Sequence, residues 1–197
     1  MIAIIDYGAG NLNSVKNALD YLEASSWIAK KPGEVKAADA IILPGVGSFG
    51  YMMKRLREVK LDIALKNRIL DGTPFLGICL GMQVLFEKSE ESPGVAGLCI
   101  FPGFVKRFRK GKVPQIGWNR IKPVKKSILQ ESDMYFVNSY YAVPKQRAII
   151  AASSNYYKSF PSAIQSKNIT AVQFHPEKSG TEGLKLLARW LKCLQKE

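Results

Sequence analysis

Cys79 stands at the point where a buried strand is predicted to end and a helix to begin, in the segment Gly-Ile-Cys-Leu-Gly-Met-Gln at positions 77–83. Glycines two residues before and two residues after a nucleophile permit the sharp turn that presents its side chain above a sheet. A helix that starts at such a turn lowers the pKa of a thiol and offers backbone N–H groups to an oxyanion. A free cysteine is more often a small buried apolar residue, but the two glycines favour a nucleophile here.

His175 is the only histidine in the chain, so any mechanism that needs an imidazole base depends on this position. A strand predicted over 169–174 delivers it at the carboxyl end of a sheet, where open α/β folds build their active sites. Glu177 is two residues further on and lies on the same side if the backbone is extended. We therefore expect Glu177 to orient His175, and His175 to deprotonate Cys79. A histidine alone is more often a structural residue; the cysteine turn favours catalysis.

Two glycine loops also follow predicted strands. The segment Pro-Gly-Val-Gly at 44–47 lets backbone N–H groups turn toward an anion or a tetrahedral intermediate, although by itself it is an ordinary turn. The segment Gly-Ala-Gly at 8–10 lacks the third glycine of a dinucleotide-binding loop, and no acidic residue ends the following strand. The sequence therefore does not predict a dinucleotide-binding loop at 8–10.

The elements that must position these residues alternate between strands and helices in the first half of the chain. Short apolar runs rich in β-branched residues predict strands, and apolar residues at helical spacing predict amphipathic helices. The predicted strands cover 2–5, 26–29, 40–43 and 75–78; the predicted helices cover 51–70, 82–86 and a first segment that is capped by Asn13 or Ser14 and ends before Ser25. This alternation predicts a parallel, doubly wound sheet with the first strand in its interior.

The pattern changes after Pro93 to short strand-like segments without helices between them. These segments cover 101–108, 115–121, 134–137, 148–152, 162–165 and 169–174, and a last amphipathic helix covers 182–194. We therefore predict an α/β fold in which an open, mostly parallel twisted sheet is flanked by helices and the C-terminal half is rich in β-structure. No linker or repeat interrupts the chain, so residues 1–197 are predicted to form one domain.

The composition is that of an ordinary globular protein. Of 197 residues, 47% are hydrophobic and 23% are charged, which suits one buried core, and no apolar run reaches the roughly 18 residues of a membrane span. The N-terminal sequence lacks the pattern of a signal peptide, so a cytoplasmic protein is predicted. Three cysteines at irregular spacing, Cys79, Cys99 and Cys193, favour neither a disulfide framework nor a zinc site. No metal and no cofactor is expected.

The charge balance is strongly basic, with 29 Lys and Arg against 16 Asp and Glu and a net charge of +13. Nine Lys or Arg and no acidic residue lie between Phe104 and Lys126, interleaved with aromatic residues. Such a surface can bind RNA or an acidic protein subunit, or it can simply be solvated. No recognised RNA-binding motif accompanies the charge, so nucleic acid is not the expected partner.

Taken together, the cysteine turn at 77–83, the loop at 44–47 and the segment His-Pro-Glu-Lys-Ser at 175–179 resemble the class I glutamine amidotransferases, which use a Cys-His-Glu triad. Within that family, the segments Ile-Asp-Tyr-Gly-Ala-Gly-Asn at 5–11 and Gly-Trp-Asn at 117–119 are similar to the glutaminase subunits of imidazole glycerol phosphate synthases, which serve histidine biosynthesis. The resemblance covers essentially the whole chain. It implies the flavodoxin-like form of the α/β fold.

The activity that the resemblance implies is hydrolysis of glutamine. Cys79 would attack the side-chain amide, His175 would shuttle the proton, and Glu177 would orient His175. The resulting γ-glutamyl thioester would be hydrolysed to glutamate, and ammonia would be the useful product. The isolated chain is expected to be a poor glutaminase, since members of this family gain activity when the partner binds its ligand.

The resemblance also implies an oxyanion hole and a glutamine site. Backbone N–H groups of Leu80 and of the Val46–Gly47 region would form the hole, the latter only after a peptide flip triggered by a ligand on the partner. Gln83 and Glu91 match residues that bind glutamine.

The partner implied by the resemblance is a (βα)8-barrel cyclase subunit, which forms a heterodimer with the glutaminase. It receives ammonia through the interface and makes imidazole glycerol phosphate and an aminoimidazole carboxamide ribotide from a phosphoribulosyl intermediate. Trp118, Asn119 and Lys178 match residues that face the cyclase. Asn138 stands where the family usually has histidine, in Tyr-Phe-Val-Asn-Ser-Tyr. Because asparagine keeps a hydrogen bond but carries no charge, we expect its effect to fall on the coupling between subunits.

Two alternatives stay open. The chain could serve another synthase with the same glutaminase chemistry, either one that makes anthranilate or aminodeoxychorismate or a paralogue that amidates a cell-surface sugar. The Gly-Trp-Asn segment at 117–119 favours histidine biosynthesis over the chorismate enzymes. The second alternative is a non-catalytic module that binds through its basic surface, which the intact Cys79, His175 and Glu177 disfavour.

Overall fold

Twelve strands and six α-helices make up residues 1–194, the part of the chain that the structure, a computed structural model, describes. Residues 195–197 belong to the predicted domain of 1–197 but lie outside the described residues. The helices are α1 (Leu12–Tyr21), α2 (Pro32–Lys36), α3 (Phe49–Glu58), α4 (Leu61–Leu70), α5 (Leu80–Gln83) and α6 (Gly180–Leu194). The strands are β1 (Ile2–Ile5), β2 (Ser26–Ala29), β3 (Ala40–Gly45), β4 (Phe75–Cys79), β5 (Phe86–Ser89), β6 (Phe101–Arg107), β7 (Gln115–Pro123), β8 (Ser132–Asn138), β9 (Tyr140–Pro144), β10 (Ile150–Asn155), β11 (Ser159–Ser166) and β12 (Ile169–Val172).

A nine-stranded mixed sheet forms the centre of the fold, in the order β2-β1-β3-β4-β12-β11-β10-β7-β8. The first five strands in this order are parallel, and the remaining pairings are antiparallel. β1 pairs with β2 on one side and β3 on the other, so its interior position is confirmed. The parallel part has the flavodoxin-like strand order. The predicted α/β class is confirmed, and the antiparallel part comes from the β-rich second half of the chain.

Helices cover both faces of the parallel part, because its strands are apolar on both sides. On one face, Ile5 of β1 belongs to the same core as Leu56 of α3. On the other face, Ile4 packs in a second core with Val15 of α1 and Leu187 of α6. Successive residues of one strand therefore enter two different cores. The carboxyl ends of β3, β4 and β12 meet at one edge of this layer, and the predicted site residues follow them.

A second sheet of three strands, β5-β6-β9, packs against the first of these cores. Neither β5 nor β9 was predicted, and the helix predicted over 82–86 is wrong beyond α5. The chain leaves the helix because the carbonyl oxygens of Val84 and Leu85 accept hydrogen bonds from the N–H groups of Leu98 at 2.7 Å and Ile100 at 2.8 Å. Phe86 then begins β5.

The helix predicted over 51–70 is two helices. α3 ends at Glu58 and α4 begins at Leu61, because Lys60 between them adopts a left-handed conformation with a φ of 58°, which an α-helix cannot contain. The short helix α2 was not predicted. The segment predicted as a strand over 148–152 begins with a 3-10 turn before β10. No helix within residues 1–194 is long and apolar enough to cross a membrane.

Candidate active site

The backbone makes a strained turn at Cys79, between β4 and α5. Cys79 has a φ of 54° and a ψ of −107°, a conformation that costs a residue with a Cβ about 1–3 kcal/mol. Larger residues would not fit on either side, because a Cβ on Gly77 would lie 2.7 Å from the carbonyl oxygen of Gly81, and a Cβ on Gly81 would collide with the carbonyl oxygen of Leu43. The turn that the glycine spacing predicted is therefore present, and strain of this kind is typical of functional sites.

The sulfur of Cys79 has polar contacts with Gln173 and Val137 in addition to His175. The amide of Gln173 donates from Nε2 to Sγ at 3.5 Å, and Sγ lies 3.9 Å from the carbonyl oxygen of Val137. Gln173 is held in turn by Gln83, whose Nε2 donates to Gln173 Oε1 at 2.9 Å. Gln173 was not among the predicted site residues. Its signal in the sequence is a polar residue in an apolar segment, two positions before His175.

His175 and Glu177 form a buried pair. Glu177 Oε1 lies 2.8 Å from His175 Nδ1, and the two side chains are only 4% and 2% exposed. Because Nδ1 is engaged by Glu177, Nε2 is the ring nitrogen that is left for the cysteine. The extended backbone expected between the two residues is wrong: Glu177 lies in a 3-10 turn, Pro176–Lys178, which brings its side chain back to the imidazole.

Hydrogen bonds to the backbone of His175 fix its place beside β8. Its N–H donates to the carbonyl oxygen of Tyr135 at 2.9 Å. Ser179 Oγ donates to the carbonyl oxygen of His175 at 2.6 Å and accepts from the N–H of Tyr135 at 3.0 Å. The end of β12 is thereby tied to β8, and the imidazole is positioned by both strands.

The charge state of His175 follows from its neighbours. Burial lowers the pKa of His175, but hydrogen bonding to Cys79 and to Glu177 outweighs burial and raises the pKa from 6.5 to about 10. These two partners therefore stabilise the imidazolium. A sulfur beside an imidazolium that a carboxylate orients is the arrangement of a cysteine nucleophile.

Replacing Glu177 with glutamine is expected to destabilise the fold in a pH-dependent way. The pKa of His175 in the folded state lies above its unfolded value of about 6.5. Protonation of His175 therefore stabilises the folded state fully below pH 6.5, and this stabilisation is lost as the pH rises to about 10. Glu177→Gln removes one of the groups that raise this pKa. In urea unfolding, the loss of free energy of unfolding should be largest near pH 6 and shrink toward pH 10; an equal loss at every pH would contradict the pairing.

A cavity of about 270 Å³ opens over the cysteine and brings most of the predicted residues together. Its wall comes from the loop after β3, the start of α5, the junction of β8 and β9, and the turn after β12. The predicted residues in this wall are Val46, Gly47, Cys79, Leu80, Gln83, Glu91, Asn138, His175 and Lys178. Glu177 lies behind His175, and Trp118 and Asn119 lie further along β7.

Gln83 and Glu91, the predicted glutamine-binding residues, offer different groups to the cavity. Gln83 is 4% exposed and uses Nε2 on Gln173 and on the carbonyl oxygen of Tyr140, at 3.2 Å, so Oε1 is what it can offer. Glu91 Oε2 accepts from the N–H of Phe49 at 2.7 Å, at the start of α3. Burial raises the pKa of Glu91, and this hydrogen bond lowers it. A carboxylate in the wall is suited to the ammonium group of an amino acid.

The predicted oxyanion donors differ in whether their N–H groups are already hydrogen-bonded. The N–H of Leu80 is at the start of α5 and has no acceptor within its own helix. The N–H of Val46 instead donates to the hydroxyl of Tyr7 at 3.1 Å. Tyr7 was not predicted as a site residue, since it is 39 positions away from Val46 in the sequence and no motif links the two.

The four residues predicted to face a partner do not share one surface. Trp118 is 60% exposed on β7, and Lys178 is exposed at the rim of the cavity. The alternation of β7 turns Asn119 to the opposite side from Trp118, where its Nδ2 donates to a backbone carbonyl at 3.0 Å. Asn138 is 5% exposed and lies in the cavity wall; its Nδ2 donates to a backbone carbonyl at 2.9 Å, and its Oδ1 is buried without a partner among residues 1–194.

The basic segment at 104–126 is partly neutralised by acidic residues from elsewhere in the chain. Arg109 pairs with Glu90 at 3.0 Å, and Arg120 pairs with Asp133 at 2.8 Å. Some of these cations therefore serve the chain's own structure, although exposed pairs of this kind add little stability.

Comparison with known sequences gives matches over nearly the whole chain. The family model described as glutamine amidotransferase class-I matches residues 3–193. The chain is 48% identical over 196 residues to the imidazole glycerol phosphate synthase subunit HisH of Herpetosiphon aurantiacus, covering 97% of this chain and 93% of that protein. It is 47% identical over 200 residues to the protein of the same name from Methanothermobacter thermautotrophicus, covering 99% of this chain and 100% of that protein.

Solved structures with the same fold are less similar in sequence. A glutamine amidotransferase crystal structure aligns with a TM-score of 0.81 and 19% identity, covering 99% of this chain and 100% of that one. PurLQS from Thermotoga maritima aligns with a TM-score of 0.76 and 16% identity, covering 98% of each chain. At these identities the likeness concerns the fold alone.

Proposed function

This chain belongs to the glutamine amidotransferase class-I family, and from that premise we propose that Cys79, His175 and Glu177 hydrolyse glutamine to glutamate and ammonia. The relatives it matches are HisH subunits of imidazole glycerol phosphate synthase, and we assign the chain to the same role in histidine biosynthesis. The observation that carries the proposal is the cavity in which the sulfur of Cys79 neighbours a histidine already held by a buried carboxylate.

The first half of the reaction forms a thioester. The sulfur of Cys79, as thiolate, attacks the side-chain amide carbon of glutamine, and the carbonyl oxygen becomes an oxyanion. His175 gives the proton on Nε2 to the amide nitrogen, the C–N bond breaks, and ammonia leaves. The oxyanion is stabilised by the N–H of Leu80 and by the loop that contains Val46 and Gly47.

The second half regenerates the enzyme. His175 takes a proton from water, the resulting hydroxide attacks the thioester carbon, and the C–S bond breaks to release glutamate and the thiolate. One glutamine and one water thus give one glutamate and one ammonia. Glutamate release from glutamine, measured with and without the partner subunit, tests this proposal; no release in either condition would overturn it.

Binding of glutamine uses the residues at the rim of the same cavity. Glu91 is suited to the α-ammonium group, because its carboxylate lies in the wall. Gln83 offers Oε1 to a donor of the substrate, since its Nε2 is already used within the chain. Lys178 is exposed beside His175 and offers positive charge to the α-carboxylate or to the partner.

The ammonia is proposed to pass to a (βα)8-barrel cyclase subunit, which makes imidazole glycerol phosphate and an aminoimidazole carboxamide ribotide. Residues 1–197 are proposed to act as one glutamine amidotransferase domain, in the cytoplasm. Transfer within a heterodimer requires a docking surface close to the cavity, because free ammonia would otherwise escape into water.

The outer face of β7 and β8 is suited to this docking. Trp118 and Ile116 are each 60% exposed, and Val137 is 37% exposed on the neighbouring strand, opposite Ile116. An exposed apolar row of this kind is typical of an interaction surface. Val137 joins this face to the site, since its carbonyl oxygen lies 3.9 Å from the sulfur of Cys79.

Replacing Trp118 with alanine is expected to weaken binding to the cyclase subunit about 30-fold, or about 2 kcal/mol, because exposed tryptophans at the centre of an interface carry much of its binding energy. Titration calorimetry measures the change. Leu70→Ala is the matched control, since Leu70 is 65% exposed on α4, and its affinity should stay within twofold of the wild type. Equal affinities for the two variants would place the docking surface elsewhere.

A further inference from the structure

A buried tyrosine two residues after β1, Tyr7, holds the loop that follows β3. The side chain of Tyr7 is buried, and its hydroxyl makes two hydrogen bonds with one residue, Val46. It donates to the carbonyl oxygen of Val46 at 3.1 Å and accepts from the N–H of Val46 at 3.1 Å. Both backbone polar groups of Val46 are therefore engaged by a single phenol oxygen.

Tyr7 is itself fixed and neutral. Its backbone carbonyl oxygen accepts from Nε of Arg55 on α3 at 3.3 Å. Burial raises the pKa of Tyr7 to about 12, although the hydrogen bond with Val46 lowers it. The hydroxyl proton is consequently present throughout the physiological range and stays available for the carbonyl oxygen of Val46.

The engagement of Val46 leaves the oxyanion hole incomplete. While its N–H donates to Tyr7, that group cannot donate to an oxyanion formed over Cys79. The N–H of Gly47 is in the same peptide group as the carbonyl oxygen of Val46, so its orientation is also fixed by Tyr7, and the N–H of Leu80 is the predicted donor that Tyr7 does not restrain. Rotation of either peptide that flanks Val46 would break one of the two hydrogen bonds to Tyr7. One oxyanion donor changes turnover by about 10²- to 10³-fold in enzymes, so the state of this loop matters greatly for the rate.

The loop after β3 is closely packed at Gly45 and has free space around it at Gly47. A Cβ on Gly45 would lie 2.8 Å from the Cβ of Leu80, so Gly45 is packed against α5. Gly47 has a φ of 93°, and a Cβ placed on it would meet no atom within 4 Å. Glycine at this φ tolerates large changes of conformation, so the peptide between Val46 and Gly47 is the part that has room to turn.

We propose that the hydroxyl of Tyr7 is a latch that holds the Val46 peptide groups away from the reacting oxygen, so that the loop completes the oxyanion hole only when these two hydrogen bonds break. Tyr7 is thus a positioning residue, which never touches glutamine. The proposal rests on the proposed glutaminase activity and adds a physical reason for the low rate that is expected of the isolated chain.

The test is the Tyr7→Phe variant, which removes the hydroxyl and keeps the buried ring. Glutamate release by the variant alone should rise at least tenfold over the wild type, while the rate with the cyclase subunit and its phosphoribulosyl substrate stays within about twofold. Tyr157→Phe, at a tyrosine that is 68% exposed, is the matched control and should leave both rates unchanged. An unstimulated rate that stays at the wild-type value, or falls, would overturn the latch.

Amide hydrogen exchange at Val46 provides a second test that needs no variant. In the wild-type complex, exchange of this amide should speed up at least tenfold when the cyclase is given its phosphoribulosyl substrate, because the bond to Tyr7 is then broken. An exchange rate that does not change, in a complex whose glutamate release is stimulated, would refute the latch but not the glutaminase. Absence of glutamate release under every condition would refute the glutaminase itself.

Discussion

Replacing Cys79 with alanine is expected to lower glutamine hydrolysis by at least about 10⁴-fold, because the thioester cannot form without the sulfur. The side chain is small and 7% exposed, so the fold and the complex with the cyclase should survive the change. The complex should therefore still make its product from added ammonium salt while losing the glutamine-dependent reaction. Glutamate release and ammonia-dependent synthesis, measured on the same complex, separate the two effects.

The other two cysteines supply the controls. Cys99 and Cys193 are exposed and lie outside the cavity wall, so Cys99→Ser and Cys193→Ser should each keep glutamine hydrolysis within about twofold of the wild type. Turnover by Cys79→Ala within tenfold of the wild type would show that the sulfur is not the nucleophile.

Replacing His175 with asparagine is expected to lower turnover by about 10²- to 10⁴-fold, the usual contribution of a general acid and base. No second histidine exists in the chain to take over the proton transfers. Because Glu177 acts through His175, adding Glu177→Gln to this variant should lower kcat by no more than about threefold further. Steady-state kinetics of the two single variants and the double variant measure this. A double variant whose loss equals the product of the single losses would mean that Glu177 acts independently.

Much of the site could be predicted because it depends on local rules. The glycines around Cys79 fix the turn, since the backbones of β3 and α5 approach too closely for any Cβ. His175 follows the strand β12, which pairs with β4, so two strand ends bring the pair together. The predicted pairing of Glu177 with His175 is present, but the extended backbone assumed for it is wrong. Pro176 begins a 3-10 turn, which brings the Glu177 side chain to the imidazole.

The residues that the sequence did not reveal act over long distances along the chain. Gln173 reaches the sulfur of a residue 94 positions away, and Tyr7 holds a loop 39 positions away. No periodicity encodes such contacts, which depend on how strands are ordered in the sheet. The break between α3 and α4 was missed for a different reason. Lys60 adopts a left-handed backbone conformation there, and no glycine in the sequence signals such a conformation. The effect of Asn138 on coupling stays a prediction.

Glutamate release from glutamine is the most direct measure of the proposed activity. It should be measured for this chain alone and together with a cyclase subunit carrying its phosphoribulosyl ligand, with Cys79→Ala as the blank. We expect a low rate for the chain alone and a rate at least tenfold higher for the liganded complex. If glutamate release is the same with and without the cyclase subunit, the chain is a glutaminase of another synthase. No glutamate above the blank under any condition would contradict the proposed glutaminase activity and favour a non-catalytic module that binds through its basic surface.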